Sequence, residues 1–76
     1  MAELVAYLAR QLVDAPDQVR VEEVEEDDAI VIRLHVAADD VGKVIGRQGR
    51  IARALRQIVR AAGANERRRV HLEIVE

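Results

Sequence analysis

Gly46 and Gly49 bracket Arg47 and Gln48, and Arg50 follows at once. Two glycines three apart let the main chain turn tightly and admit another backbone closely, because no Cβ stands in the way. Arg47, Gln48 and Arg50 add cationic and amide donors beside main-chain N–H groups. Residues of these types at this spacing suit a phosphodiester backbone: many donors, positive charge, no bulk at the closest approach. Lys43 lies just before the turn and Arg53 just after it.

Other chemistries fail on the letters. The chain has no Ser, Thr or Cys, so the usual hydroxyl and thiol nucleophiles are missing, and with them any disulfide or thiolate metal site. A nucleotide-binding P-loop needs G-x-x-x-x-G-K-[ST]; Gly42-Lys43-Val44-Ile45-Gly46 has neither that spacing nor the Mg²⁺-binding hydroxyl. The dinucleotide pattern G-x-G-x-x-G is also absent. His35 and His71 have no convergent acids and read as exposed strand residues, not metal ligands. Asp39-Asp40 reads as a helix cap and Asp27-Asp28 as a solvated turn. No enzyme, cofactor or metal is expected.

Charge is segregated along the 76 residues. Residues 14–40 carry ten acids against Arg20 and Arg33, a net of −8; residues 41–71 carry nine bases against Glu66, a net of +8. The overall −2 hides a strongly cationic half, and a polyanion responds to the local field within roughly 8–10 Å. Tyr7 is the one aromatic, which argues against a module that stacks bases on exposed rings. No basic segment followed by an apolar run opens the chain, and no stretch nears the ~20 apolar residues of a membrane span. A cytoplasmic protein of one domain, residues 1–76, is expected, with no membrane partner.

The elements that must position the turn follow from periodicity. Ala2 to Val13 predicts a helix with Leu4, Val5, Leu8, Leu12 and Val13 on one face, ended by the Asp14-Ala15-Pro16-Asp17 break. Val19 to Glu25 predicts a strand, but Val24 falls out of phase with Val19 and Val21, which suggests a bulge or an early end. Glu25-Glu26-Asp27-Asp28 is the turn to a second strand, Ala29 to Val36, in which Ile30, Ile32, Leu34 and Val36 alternate with Val31, Arg33 and His35. Asp39 or Asp40 is the N-cap candidate of a short helix through Ile45. After the glycine turn, Ile51, Ala54, Leu55, Ile58, Val59 and Ala62 make an apolar stripe opposite Arg50, Arg53, Arg56, Gln57 and Arg60. No acid lies between Val41 and Asn65 to balance those arginines. Gly63 is a C-cap candidate, and Val70, Leu72 and Ile74 alternate in a closing strand. The order α-β-β-α-α-β, with helices on one face of a three-stranded sheet, is an α+β fold.

The order of elements and the segment Val41-Gly42-Lys43-Val44-Ile45-Gly46-Arg47-Gln48-Gly49-Arg50 resemble a type II KH domain with its GxxG loop at 46–49. The resemblance runs nearly end to end and is closest to small single-KH-domain proteins of the KhpA type. It implies that the loop clamps about four nucleotides of single-stranded RNA. It implies a groove holding bases on aliphatic side chains, hence no need for rings. It also implies dimers, a larger KhpB/Jag-like KH partner, and RNA-chaperone action tied to cell elongation and envelope homeostasis. The alternative is an assembly module with the KH fold and little RNA affinity, as in relatives without the GxxG loop.

On this reading Gly46, Arg47, Gln48 and Gly49 hold the sugar-phosphate backbone, and Lys43, Arg50 and Arg53 add charge. Val41, Val44 and Ile45 provide the aliphatic floor, with the Ala29–Val36 strand as the far wall. A weak homodimer, exchangeable for a heterodimer, is expected through one of two surfaces. One is the outer sheet face bearing Val31, His35, His71 and Val75; the other is the edge of the Arg-rich helix near Ile58 and Ala62.

Overall fold

The computed structural model describes residues 1–76. Strand β2 (Ala29–His35) is its axis: Ile30, Ile32 and Leu34 point to one face and are buried, the last two completely. The β-branched Ile30 and Ile32, with Leu34 in the same phase, suit a strand half-buried on one side. β1 (Arg20–Glu25) pairs with β2 antiparallel, and β3 (Arg69–Ile74) pairs with it parallel, giving the order β1-β2-β3. A parallel pair needs a long crossover, and the helices supply it.

α1 (Ala2–Leu12), α2 (Val41–Ile45) and α3 (Arg50–Ala62) cover the apolar face of the sheet. Val5 and Ala9 of α1, Val44 of α2, and Leu55 and Val59 of α3 close one core with Ile30, Ile32, Leu34 and Leu72. Short 3₁₀ turns at Pro16–Gln18 and Ala38–Asp40, and a tight non-helical turn at Arg47–Gly49, make the corners. This is the expected α-β-β-α-α-β order.

Four local expectations need correction. β1 has no bulge: its register with β2 is unbroken from Arg20↔His35 to Glu25↔Ile30. Val24 is out of phase because it faces outward, opposite Val31, where two valines shelter one another on the outer sheet face. On α1 the buried line is Val5 and Ala9, while Leu4 stands outward. Leu8, Leu12 and Val13 of the expected face are half-buried and pack against the same core, so only Leu4 departs from it. On α3 the buried line is Ala52, Leu55 and Val59; Ala54, Ile58 and Ala62 remain exposed. α3 is thus covered along a narrower strip than its apolar stripe offers.

The fourth correction concerns Asp40. It precedes α2, yet its side chain makes no cap hydrogen bond to that helix. Its carboxylate instead accepts the main-chain N–H groups of Asp14 and Ala15, at 3.2 and 3.1 Å, across the molecule. Gly63 does end α3, its N–H donating to the Val59 carbonyl at 2.9 Å, but with φ −94° it needs no left-handed geometry. Glycine is required there for space, since a Cβ would lie 2.8 Å from Val70 Cγ2.

Candidate nucleic-acid interface

The turn between α2 and α3 is shaped by three residues with positive φ: Gly46 (φ 76°), Gln48 (58°) and Gly49 (73°). Gly46, with ψ 172°, occupies a region that essentially only glycine populates. Its α-carbon also backs onto Ile51, so a Cβ would meet that side chain at 2.7 to 3.0 Å. Gly49 is left-handed but faces open space. One glycine therefore seats the turn against α3, and the other only bends it. The Gly49 N–H donates to the Gly46 carbonyl at 3.1 Å, which closes the turn.

Arg47 and Gln48 stand exposed at the tip, and Arg50 is exposed at the start of α3. Neither Arg47 nor Arg50 makes an ion pair within the chain. Arg53 reaches back and donates from Nη2 to the Gln48 carbonyl at 2.9 Å. That bond holds Gln48 in its left-handed conformation, so Arg53 braces the turn besides adding charge.

Lys43 is placed differently from the other cations. Its Nζ lies 3.0 Å from Asp14 Oδ2 and 3.5 Å from Asp40 Oδ1. Hydrogen bonding to Asp14, together with the charge of both carboxylates, pushes its pKa up. Burial pushes the Asp40 carboxyl up, but the N–H donors of Asp14 and Ala15 and the Lys43 ammonium outweigh it and hold the group below its ordinary value. Asp14, Asp40 and Lys43 therefore tie the end of α1 to the root of α2. The i,i+3 spacing of Asp40 and Lys43 was visible in the sequence; the partnership with Asp14, 26 residues away, was not.

The aliphatic residues divide. Val41 and Ile45 are half-buried and keep surface beside the loop, but Val44 is wholly buried. Val44 serves the core and cannot touch a ligand, so its place in the expected floor is corrected. The expected far wall is corrected too. β2 is the central strand, flanked by β1 and β3, with its helix-facing side chains sealed beneath the helices. The strand with an open edge on the α3 side is β3.

A turn of this build between two helices, over this sheet, agrees with a family model. The model described as "KhpA/KhpB, KH domain" matches residues 2–74. The chain belongs to that family. Among KhpA/KhpB relatives, the RNA-binding protein KhpA of Caldanaerobacter subterraneus subsp. tengcongensis is 52% identical over 75 residues, covering 99% of this chain and 100% of that protein. The RNA-binding protein KhpA of Halalkalibacterium halodurans is 50% identical over 76 residues, 100% of both chains. Among solved structures, a crystal structure of a variant of Aquifex aeolicus Era bound to GDP and AlF4⁻ superposes with a TM-score of 0.64 at 24% identity. It matches 96% of this chain but only 28% of Era, and shows the shared fold.

Proposed function

We propose that this KH domain is an RNA-binding protein that grips a single-stranded RNA backbone with Gly46, Arg47, Gln48 and Gly49. The carrying observation is a glycine turn whose two tip side chains, Arg47 and Gln48, are exposed, while Arg47 and the adjacent Arg50 have no internal counter-charge. The naming of the KhpA relatives as RNA-binding proteins supports the same reading. Arg50 adds charge directly; Arg53 also holds the turn, and Lys43 adds its charge from the root of α2, where Asp14 and Asp40 fix it. Val41 and Ile45 offer the aliphatic surface for bases. The protein has no catalytic role.

The reading extends to an RNA-chaperone role in the cytoplasm, in post-transcriptional control linked to cell elongation and envelope homeostasis. Assembly is part of it: a weak homodimer that exchanges for a heterodimer with a larger KhpB/Jag-like protein. The edge of α3 near Ile58 and Ala62 is exposed, Ile58 to 40%, and the exposed Ala54 and Ala61 extend it along the helix. The small Ala54 and Ala61, one turn to either side of Ile58, leave room for a second helix to pack on the isoleucine. The outer sheet face suits this less. There Arg33 pairs with Glu73 at 3.1 Å, and His35 Nε2 lies 2.6 Å from Glu22 Oε1.

A gel-shift titration with Arg47→Asp/Gln48→Asp tests the grip. Both positions are exposed loop tips, so the fold survives and RNA affinity is lost. With about three to five phosphate contacts, the wild-type slope of log K against log[salt] is about −2 to −3.5. Retained affinity in the double variant, or a salt-independent Kd, overturns the proposal.

A further inference from the structure

At the end of α3 away from the glycine turn lies a concavity of about 440 Å³, lined by Arg60, Arg67, Arg68, Arg69 and His71, with Glu66 as its one acid. Its volume falls within the roughly 300–1,000 Å³ of ligand sites, but only two lining residues are apolar. Such a lining does not suit an apolar small molecule. Four guanidinium groups around one hollow, in a chain with twelve basic residues, suit an oxyanion.

These arginines differ in what they do. Arg68 is occupied: its Nη2 lies 2.6 Å from Glu25 Oε1 and its Nη1 donates to the Glu26 carbonyl at 3.4 Å. The Arg69 N–H donates to the Asp28 carbonyl at 3.2 Å. Together these bonds fasten the basic segment to the β1–β2 turn and fix the rim of the hollow. Arg60, Arg67 and Arg69 are exposed and none makes an ion pair. The carboxylates of Glu26, Asp27 and Asp28 belong to the turn so fastened, so phosphate is repelled beyond this rim.

The hollow is also connected to the glycine turn. At 100° per residue, Arg53, Arg56 and Arg60 fall on one flank of the buried Ala52–Leu55–Val59 line, opposite the flank of Ala54, Ile58 and Ala61. Arg56 and Arg60 have no internal partner. Exposed cations therefore run the length of α3, from Arg50 through Arg56 and Arg60 to Arg67 and Arg69. Thirteen residues at ~1.5 Å each span about 20 Å, or about six phosphates at the ~3.4 Å spacing of a stacked strand.

The geometry points to a second RNA-phosphate site, formed by Arg60, Arg67 and Arg69, that takes the same RNA strand after it has passed along the Arg flank of α3. This rests on the proposed RNA grip at the glycine turn and lengthens its footprint beyond the four nucleotides such a turn clamps. A tetranucleotide on the turn does not reach Arg67; a twelve-nucleotide strand does.

The test is fluorescence anisotropy with a labelled four-nucleotide and a twelve-nucleotide unstructured RNA, using the full chain. Arg67→Glu/Arg69→Glu is compared with Arg10→Glu/Arg20→Glu, which makes the same change in net charge at exposed, unpaired positions elsewhere. Circular dichroism melts confirm that both variants fold. The pocket variant is expected to lose about tenfold in affinity for the twelve-mer, and its salt slope to flatten by about 1.4, two contacts at about 0.7 each. Its affinity for the four-mer stays within about twofold, as does that of the control variant for both strands. Unchanged twelve-mer binding, or an equal loss in the control, overturns the second site. If Arg47→Asp/Gln48→Asp leaves twelve-mer binding intact while the pocket variant abolishes it, the grip at the turn falls and the pocket stands.

Discussion

Replacing Gly46 with alanine separates what the two glycines of the turn do. Gly46 has φ 76° and ψ 172°, a conformation that costs about 1–3 kcal/mol for a residue with a side chain. The new methyl would also lie 2.7 Å from Ile51 Cγ1, 2.9 Å from its Cβ and 3.0 Å from its Cδ1. The Cβ is fixed to the first turn of α3, so rotation of Ile51 cannot clear the overlap, and the backbone must shift. Overpacking of this kind costs about 1–3 kcal/mol. Gly49→Ala meets only the left-handed penalty of about 1–2 kcal/mol, because nothing lies within 4 Å of its would-be Cβ. A domain of this length has a stability of about 4–11 kcal/mol at 0.05–0.15 kcal/mol per residue, so Gly46→Ala removes a large share of it. Urea denaturation followed by far-UV circular dichroism measures both variants. Gly46→Ala is expected to be the more destabilised by at least about 1 kcal/mol. If it costs no more than Gly49→Ala, the argument that Ile51 seats this turn is refuted.

Asp40→Asn is expected to destabilise the fold at neutral pH, because one amide oxygen replaces two carboxylate oxygens that accept from Asp14, Ala15 and Lys43. The folded-state pKa of Asp40 is depressed, so its contribution is present above the unfolded value of about 3.9 and lost as pH falls through the folded one. Urea midpoints taken from neutral pH downward should therefore converge for variant and wild type below about pH 4, and a constant gap would count against the reading. Gly63→Ala should cost about 1–3 kcal/mol by pressing on Val70 and should cost less in a Val70→Ala background, which a double-mutant cycle measures. Ile58→Asp should leave a monomer at every concentration in sedimentation equilibrium while RNA affinity for a four-mer persists. A dimer surviving that change would move the interface elsewhere.

Much of this protein is legible in the order of its letters. Alternation of Ile30, Ile32 and Leu34 sets β2 and its buried face, because a strand repeats every two residues and only one face meets the helices. The spacing of Gly46 and Gly49 beside unopposed arginines locates the anion-seeking turn, since positive φ and uncompensated charge are local properties. The family follows from those same residues and the α-β-β-α-α-β order. What tertiary structure decided was which of several chemically equal residues face one another. Lys43 and Arg50 both read as cations near the turn, yet one is bound to Asp14 and Asp40 and the other is unpaired. Val41, Val44 and Ile45 read alike, yet only Val44 is sealed in the core. Whether β2 or β3 stands at the edge depends on strand order, which no single strand's pattern encodes. The hollow of Arg60, Arg67 and Arg69 joins a helix end to a strand start around Gly63, and its rim is fixed by acids more than forty residues earlier. Spacing along the chain reports one element's own faces; contacts between distant segments exist only once packing has brought them together.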